Sequence, residues 1–343
     1  MAIYIIIWFL CLVLSNIRLP LGLQKSLYWG LCITMIIIGG SRDMMVGTDT
    51  ITYDDYYYNT RTIGYLIYVE PGWNLISLTA SYLGLNFNGL LTGVSILTLL
   101  PVFYVSDKIL KNPFWAIFLY VSFHFWGASL NVMRQYFALS YILLAYYFYF
   151  KSKAKKAILI ILAASSVHYS SILALIFLIF EKRIKTPDNS KLILYFFIAL
   201  VVGLIIPIET ILNYTFIYSA YEGTEKLYRQ SFGESALLAT MLMIFIALSL
   251  IFIKKRFRSD FWSKPIFIYG IMTGLTSKLL LAARIIAIFG IAQIIFFPLF
   301  LKYNRLKYSL AKLMIIIYSG ISFFRILLVN GNGICPYKSI LLP

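Results

Sequence analysis

The segment AILIILAASSVHYSSILALIFLIF, residues 157–180, lies between the basic clusters KSKAKK (151–156) and EKRIK (181–185). Basic residues that flank membrane segments are retained on the cytoplasmic side. If both clusters are cytoplasmic, the apolar segment between them must enter the membrane and return. The polar run SSVHYSS (165–171) interrupts this segment, and non-helical backbone at such a depth needs protein or a watery cavity around it. We therefore predict a re-entrant or broken pair of short helices, with His168 near the apex.

The rest of the sequence has the composition of a polytopic membrane protein. Of its 343 residues, 61% are hydrophobic and 13% are charged, whereas soluble domains carry about 25% charged residues. Apolar runs of near-spanning length recur along the chain, at 3–17, 27–40, 89–105, 114–128, 136–150, 192–212, 236–253, 266–281, 285–301 and 310–328. We therefore predict an all-α integral membrane protein with about ten transmembrane helices, forming a single membrane domain over residues 1–343.

The net charge of +17 has a simple explanation in such a protein. Two further basic clusters, KKRFR (254–258) and YNRLK (303–307), follow apolar runs, as the retention of positive charge on the cytoplasmic side requires. We therefore predict contact with membrane lipid and no nucleic-acid partner. The three cysteines match neither a disulfide framework nor a zinc spacing.

A second short segment, at residues 73–86, is also predicted to dip into the membrane and return. The sequence EPGWNLISLTASYLGLN (70–86) contains several serine, threonine and asparagine residues. If it returns to the side from which it enters, all the basic clusters lie inside, and 41–72 and 213–235 become outer polar loops. Some basic residues do not follow the positive-inside rule and then share the outer face of the membrane. They include Arg42, Arg134, Lys278 and Arg284.

The outer arginines are candidates for binding an anion. Arg134 and Arg284 lie at the outer ends of predicted spans, with Lys278 in the preceding run and polar Gln135 beside Arg134. A charge within the hydrocarbon usually faces a cavity or a partner, and arginine suits bidentate recognition of phosphate. Lipid-linked pyrophosphate fits this position. Snorkelling of the side chains toward ordinary phospholipid headgroups is the alternative.

The stretch RDMMVGTDTITYDDYYYNTR (42–61) supplies the opposite charge and many aromatic rings. Its carboxylates, Asp49 among them, suit a general base, partners for the arginines, or solvated loop charges. The tyrosines, including Tyr53, suit sugar rings but are also enriched at any membrane interface. Glu70 either caps a segment before Pro71 or acts as a functional carboxylate. His168 is either a structural hydrogen-bonding residue or a proton carrier, since imidazole titrates near neutral pH.

Taken together, these motifs resemble the EpsG family of Wzy-like polysaccharide polymerases. The resemblance rests on an ordered set of patterns: R-x4-G-T-D-T-x2-Y (42–53), E-P-G-W (70–73), N-x2-R-Q-x2-A (131–138), A-x3-H-x-S (164–170), Arg284 followed by F-F-P-L (296–299), and C-P-Y (335–337). It covers essentially the whole chain, although no single motif is decisive. It implies a fold related to the membrane glycosyltransferases that use lipid-linked donors.

The resemblance implies polymerisation of lipid-linked oligosaccharide repeat units. The growing glycan would pass from undecaprenyl pyrophosphate to the non-reducing end of a new repeat unit, on the outer (periplasmic) face of the bacterial cytoplasmic membrane. Partners would be the lipid-linked oligosaccharide itself, and a chain-length regulator and a flippase of the same pathway. The product would be an O-antigen, a capsule or an exopolysaccharide.

Residue roles follow as hypotheses. Arg134 and Arg284 would bind the donor pyrophosphate, and Asp49 would accept the proton of the acceptor hydroxyl, with Glu70 and His168 as alternatives. Arg42 would orient Asp49 or hold the acceptor phosphate. The remaining predicted substrate contacts are Thr48, Tyr53, Gln135, Lys278 and Tyr337. Because protein cations would hold the charged leaving group, we predict neither a metal nor another cofactor.

Other activities remain open at this point. A flippase or exporter of the same glycan would also need cations in a cavity, but it would be expected to carry charge on both faces and recognisable repeats. A polyprenyl-phosphate-dependent transferase adding a single sugar, and a membrane acyltransferase, are further alternatives. The clustering of unusual charges on one predicted face favours catalysis there over alternating access.

Overall fold

A computed structural model describes residues 1–205, 232–277, 282–330 and 332–341. Within these ranges the chain is helical, with no strand and only the isolated bridges Arg42–Ser339 and Ile253–Asn304. The predicted all-α class is therefore confirmed. Nearly all of the predicted outer loop 213–235 lies outside the described residues, and it stays a prediction.

The helices are numbered here in chain order. They are α1 (Ala2–Asn16), α2 (Leu21–Gly40), α3 (Thr50–Ile63), α4 (Pro71–Tyr82), α5 (Phe87–Ile109), α6 (Phe114–Ser122), α7 (Phe125–Ser129), α8 (Met133–Phe150), α9 (Ala154–Val167), α10 (Leu173–Phe180), α11 (Asn189–Ile205), α12 (Phe232–Phe252), α13 (Lys255–Arg258), α14 (Ser263–Leu275), α15 (Ala282–Gly290), α16 (Gln293–Tyr303) and α17 (Tyr308–Val329).

The predicted count of about ten transmembrane helices is not confirmed. In the described residues, four helical stretches are long and apolar enough to cross a bilayer: Leu21–Gly40, Phe87–Ile109, Arg284–Tyr303 and Tyr308–Val329. Several predicted runs form shorter helices. Helix α9, for example, has 14 residues and is about 21 Å long, less than the hydrocarbon thickness of about 30 Å.

The predicted break at His168 is confirmed. Helix α9 ends at Val167, His168 has extended backbone angles, and a short 3-10 turn, Tyr169–Ile172, leads into α10. The 73–86 segment forms a separate short helix, α4, followed by a turn and by α5. Both segments are thus short helical pieces, as expected, and their return within the membrane stays a prediction.

The contacts divide the chain into two compact units, Met1–Ile176 with Met314–Pro343, and Phe177–Leu313. In the first unit, α8 packs on α9 and α5, α2 on α5, and α1 on α6. Trp8 of α1 stacks on Phe323 of α17, with the ring centroids 5.4 Å apart. Helices α8 and α9 are joined by only three residues, 151–153, so they run antiparallel. The beginning of α8 and the end of α9 therefore lie together.

The second unit has its own core and its own buried ion pair. Helix α11 packs on α14, and Phe196 stacks on Phe267 with the centroids 5.9 Å apart. The Lys264 ammonium pairs with the Glu181 carboxylate, and both side chains are nearly buried. The expectation of a single membrane domain over 1–343 is not tested by this division and stays a prediction.

Candidate active site

Three predicted site residues meet where α8 begins, α9 ends and α4 begins. The Arg134 guanidinium pairs with Glu70 Oε2 through Nη1. On the other side of the same carboxylate, His168 Nδ1 lies 3.6 Å from Glu70 Oε1. The side chain of Glu70 is 11% exposed, and those of Arg134 and His168 are each 24% exposed. The cluster is therefore mostly enclosed and open on one side.

Local sequence explains how the carboxylate reaches this position. Glu70 precedes Pro71, which occupies the first turn of α4, where proline is favoured because no intrahelical N–H is needed. A Cβ added to Gly72 would lie 2.7 Å from the Ser166 carbonyl carbon. Only glycine therefore lets the start of α4 approach the end of α9 this closely. That approach holds Glu70 beside the break at His168.

Asn74 fixes the backbone that carries Glu70. Its side-chain Nδ2 donates to the carbonyls of Leu66 (2.9 Å) and Val69 (2.8 Å), and its Oδ1 accepts from Leu66 N at 2.9 Å. Asn74 is 1% exposed, and these bonds satisfy its amide, as a buried polar group requires. Residues 66–70 are thereby held in one conformation in front of α4.

Aromatic rings form a wall beside the cluster. The Arg134 Cζ lies 5.6 Å from the Tyr53 ring centroid and 5.7 Å from that of Tyr56, within the range of cation–π attraction. Tyr53 also packs against Trp73, and Tyr56 against Tyr68, with centroids 5.2 and 5.9 Å apart. Tyr53 and Trp73 are buried, whereas Tyr68 is exposed, so the wall extends from the core to the surface.

The surroundings keep Glu70 ionised. Burial alone raises the pKa of Glu70, but the His168 imidazole and the positive charge of Arg134 outweigh burial, and the net pKa lies below its ordinary value. On α3, burial and the neighbouring Asp55 raise the pKa of Asp54 instead. An ionised, partly enclosed carboxylate next to an imidazole can accept and pass on a proton.

Asp49 belongs to a second group of polar residues, which also contains Thr48, Asn131 and Asn332. Asn131 Oδ1 accepts hydrogen bonds from the Asp49 backbone N (2.7 Å) and from Thr48 Oγ1 (3.3 Å), and Asn131 Nδ2 donates to Asn332 Oδ1 at 3.4 Å. Asp49 is half-buried and is the N-cap residue of α3. Asn131 lies three residues before Arg134, just ahead of α8, so the two groups are neighbours along the chain at the start of this helix.

The C-terminal tail covers the loop that holds this group. Gly47 N and Thr48 N donate to the carbonyls of Gly333 (3.0 Å) and Asn332 (3.2 Å). Gly47 has φ +95°, and a Cβ there would lie 2.8 Å from the Leu130 carbonyl, so glycine is required. The tail is thereby part of the framework that holds this loop.

Arg42 and Tyr337 lie beneath this loop and not on its surface. Arg42 is 1% exposed and donates to the Gly39 carbonyl and to Met133 Sδ, rather than to Asp49. Burial lowers the pKa of Arg42 to about 10, so it stays protonated at neutral pH. The Tyr337 hydroxyl donates to the Ile38 carbonyl at 2.8 Å. Their predicted roles as substrate contacts remain predictions.

Of the other predicted residues, Gln135 and Arg284 are described and Lys278 is not. Gln135 is buried, at 2% exposure. Arg284 lies near the start of α15 in the second unit and is exposed. Lys278 falls outside the described residues. In the part of the chain that the structure describes, no group of three or more metal-ligating side chains is formed.

Sequence reasoning missed two residues that organise the site, Asn74 and Asn332. Asn74 acts locally, and its place one turn after Glu70 was a usable signal, since Asn, like Ser, Thr and Asp, often hydrogen-bonds nearby backbone. The side-chain partner of Asn332, Asn131, lies 201 residues earlier in the chain, and no local pattern predicts such a pairing.

Comparison with known proteins adds one finding to this geometry. The sequence model of the EpsG family matches residues 27–339, a range that includes every residue of the cluster and of the covering tail. No characterised protein and no solved structure matches the chain. On the extent of that match, the chain belongs to the EpsG family, which associates it with polysaccharide biosynthesis and with a bacterial membrane.

Proposed function

We propose that this protein polymerises lipid-linked oligosaccharide repeat units, transferring a glycan from undecaprenyl pyrophosphate to the non-reducing end of an acceptor repeat unit. The observation that carries the proposal is the Glu70 carboxylate held between the Arg134 guanidinium and the His168 imidazole, beside a wall of tyrosines. Family membership supports the coarser assignment to a polysaccharide polymerase.

In the proposed reaction, the acceptor hydroxyl loses its proton and attacks the anomeric carbon of the donor sugar. The new C–O bond forms as the bond from that carbon to the pyrophosphate oxygen breaks, and undecaprenyl pyrophosphate leaves with the electron pair. The Glu70–His168 pair takes the proton, and the 3.6 Å separation of its atoms suits a contact that tightens when substrate binds. Asp49, half-buried at the start of α3, stays the alternative base.

Arg134 is proposed to hold the leaving group. A guanidinium has five N–H donors in a rigid fork, and in this protein Nη1 is engaged by Glu70 while the group also hydrogen-bonds with Tyr53. The remaining donors suit pyrophosphate oxygens, which gain charge as the bond breaks, and fixed donors aimed at such charge usually contribute more to catalysis than any other single effect. When the donor pyrophosphate binds Arg134, the guanidinium would stabilise the Glu70 carboxylate less, and Glu70 would become a stronger base.

The tyrosine wall is proposed to bind sugar. Tyr56 is half-buried and packs edge-on against the exposed Tyr68, with centroids 5.9 Å apart. An aromatic face offers apolar contact to a sugar ring while its hydroxyl reaches a polar group. Because the wall runs from Arg134 to the surface, it offers a path along which the sugars of a repeat unit would extend.

The site is proposed to face the periplasm. Helix α8 begins at the cluster, has 18 residues and ends at the basic cluster 151–156. It is about 27 Å long, so the two lie at opposite ends of a nearly membrane-thick helix. Since basic clusters are retained in the cytoplasm, the Glu70 end faces outward in the bacterial cytoplasmic membrane. A flippase would deliver lipid-linked units to this face, and a chain-length regulator would act on the product.

The test uses purified protein in lipid nanodiscs with lipid-linked repeat units isolated from the source strain. Products are separated on a gel beside Arg134→Met and His168→Gln preparations. We expect a ladder at repeat-unit intervals from the wild type and none from the two variants, all assayed at a temperature below the thermal midpoint of each preparation. A product of one fixed added mass would identify a single-sugar transferase instead. Movement of intact units between leaflets of proteoliposomes, without new bonds, would identify a flippase.

A further inference from the structure

A small cavity lies beneath the 41–48 loop in the first unit. Arg42, Trp126 and Met133 contribute to its wall, and the hydroxyl residues Ser95 and Thr98 lie on its α5 side. Its volume is about 10 Å³, which is room for one water-sized particle. None of the residues given a role in the proposed reaction, namely Glu70, Arg134, His168 and Asp49, lines this cavity.

Arg42, a residue of the cavity wall, carries a buried positive charge that no described carboxylate compensates. Its acceptors are the Gly39 carbonyl and the thioether sulfur of Met133, at 2.9 Å from Nη2 for the latter. Thioether sulfur is a weak acceptor. Arg42 Nε is buried without an acceptor in the described residues, and none of the ion pairs found there includes Arg42. A buried charge without a partner is strongly unfavourable.

Trp126, another residue of the cavity wall, carries a second unsatisfied donor. Trp126 is 1% exposed, and its indole Nε1 is also buried without an acceptor within the part of the chain that the structure describes. Indole N–H is a donor only. Arg42 lies after α2 and Trp126 lies in α7, so two residues of the wall, from separate parts of the chain, each carry an unsatisfied N–H group. The Ser95 and Thr98 hydroxyls can add further donated hydrogen bonds.

We propose that this cavity binds one small monovalent anion of halide size, chloride being the abundant example. The lining combines a permanent cation with neutral N–H and O–H donors, which is the chemistry that complements an anion. The size excludes pyrophosphate and sugar. The anion neutralises Arg42 and thereby fixes the 41–48 loop, whose backbone pairs with the C-terminal tail. Its role is stabilisation of the framework and does not depend on the proposed function.

The test measures thermal midpoints of the purified full-length protein in nanodiscs, titrated with chloride or bromide against gluconate at constant ionic strength. We expect a saturable rise with either halide and none with gluconate. Trp126→Phe keeps an aromatic side chain but removes the indole N–H, and should weaken the apparent halide affinity about tenfold, the loss of one hydrogen bond to a charge. Trp262→Phe, an equally buried tryptophan in the second unit, should leave the affinity unchanged.

A further variant separates an ion from a water molecule. Arg42→Gln should abolish the halide response, and its midpoint should fall further below the wild type in chloride than in gluconate. A wild-type midpoint equal in halide and gluconate would overturn the proposal and indicate that water fills the cavity. A halide response that Trp126→Phe and Trp262→Phe weaken equally would place the ion elsewhere and would overturn it too.

Discussion

Replacing Arg134 by lysine separates the charge of this residue from the shape of its guanidinium. In the wild type, Nη1 donates to Glu70, while Cζ lies 5.6 and 5.7 Å from the centroids of Tyr53 and Tyr56. Lysine keeps the positive charge beside Glu70 but presents a compact ammonium on a flexible stem. It cannot pair with the carboxylate and at the same time present further donors in a fixed plane.

The expected magnitudes differ for stability and for activity. The ion pair survives in the Arg134→Lys variant, and the contacts to two rings are worth about 0.5–1 kcal/mol each at partly exposed sites. The free energy of unfolding should therefore fall by no more than about 1–2 kcal/mol. A lost donor to charge that develops in the transition state costs about 2.7–4 kcal/mol, or about 10²–10³ in kcat. Activity should fall far more than stability.

The assay is the initial rate of repeat-unit addition, read from gel ladders, with thermal midpoints of the same preparations. Lys264→Arg is the matched control, because it alters a nearly buried ion pair to Glu181 in the second unit. We expect this control to polymerise at close to the wild-type rate. The reasoning is refuted if Arg134→Lys polymerises within about twofold of the wild type, which is less than about 0.5 kcal/mol in barrier.

Three other outcomes follow from the packing and charge of the same region. Gly72→Ala puts a Cβ 2.7 Å from the backbone carbonyl carbon of Ser166. It should lower the free energy of unfolding by about 1–3 kcal/mol. It should also lower the rate of repeat-unit addition, because it displaces Glu70. Gly93→Ala, whose Cβ meets nothing within 4 Å, should do neither, and equal effects of the two would contradict this. Folding lowers the pKa of Glu70, so its ion pair stabilises the protein above the ordinary pKa of 4.5, and that stabilisation is lost as the pH falls through the lower folded value. The thermal midpoint of Glu70→Gln should therefore fall less steeply with decreasing pH than that of the wild type. An equal fall in the two proteins would exclude the effect. Gly47→Ala, at φ +95°, should lower stability by about 1–3 kcal/mol, and a midpoint equal to that of the wild type would show that the loop accepts a side chain.

Features set by local sequence were predictable. The run of serines around His168 interrupts an apolar segment, and the helix does end at Val167. Pro71 marks the start of α4, and Glu70 is the residue before it. In both places, the residues that set the helix end are neighbours in the chain, so local composition and helix-breaking residues are enough to predict it.

The sequence does not predict that Glu70 contacts both Arg134 and His168. Glu70 and Arg134 are 64 residues apart, and their pairing depends on the antiparallel packing of α8 and α9 and on the close approach of α4. From the sequence, all three residues are candidates for one site, with Asp49 ranked first as the base. Glu70 is the carboxylate that the structure places beside both partners.

The polar segment 41–72 contains a helix that hydropathy does not predict. Residues 50–63 form α3, with Thr50, Tyr53, Tyr57 and Thr60 buried along one side, a spacing of three or four residues that puts side chains on one face of a helix. Tyr58 on the other side is exposed. Tyrosine and threonine lower the apparent hydropathy, so hydropathy alone predicts a loop for this amphipathic helix.

The most direct test of the central claim compares two carboxylates of similar burial in one polymerisation assay. The Glu70 side chain is 11% exposed and that of Glu181 is 9% exposed, and each is paired with a cation. Glu70→Gln should reduce the ladder rate by about 10²–10⁴, as expected for loss of a proton acceptor, while Glu181→Gln polymerises normally at a comparable thermal midpoint. A full ladder from Glu70→Gln, or equal losses in the two variants, would contradict the assignment of this cluster as the polymerising site.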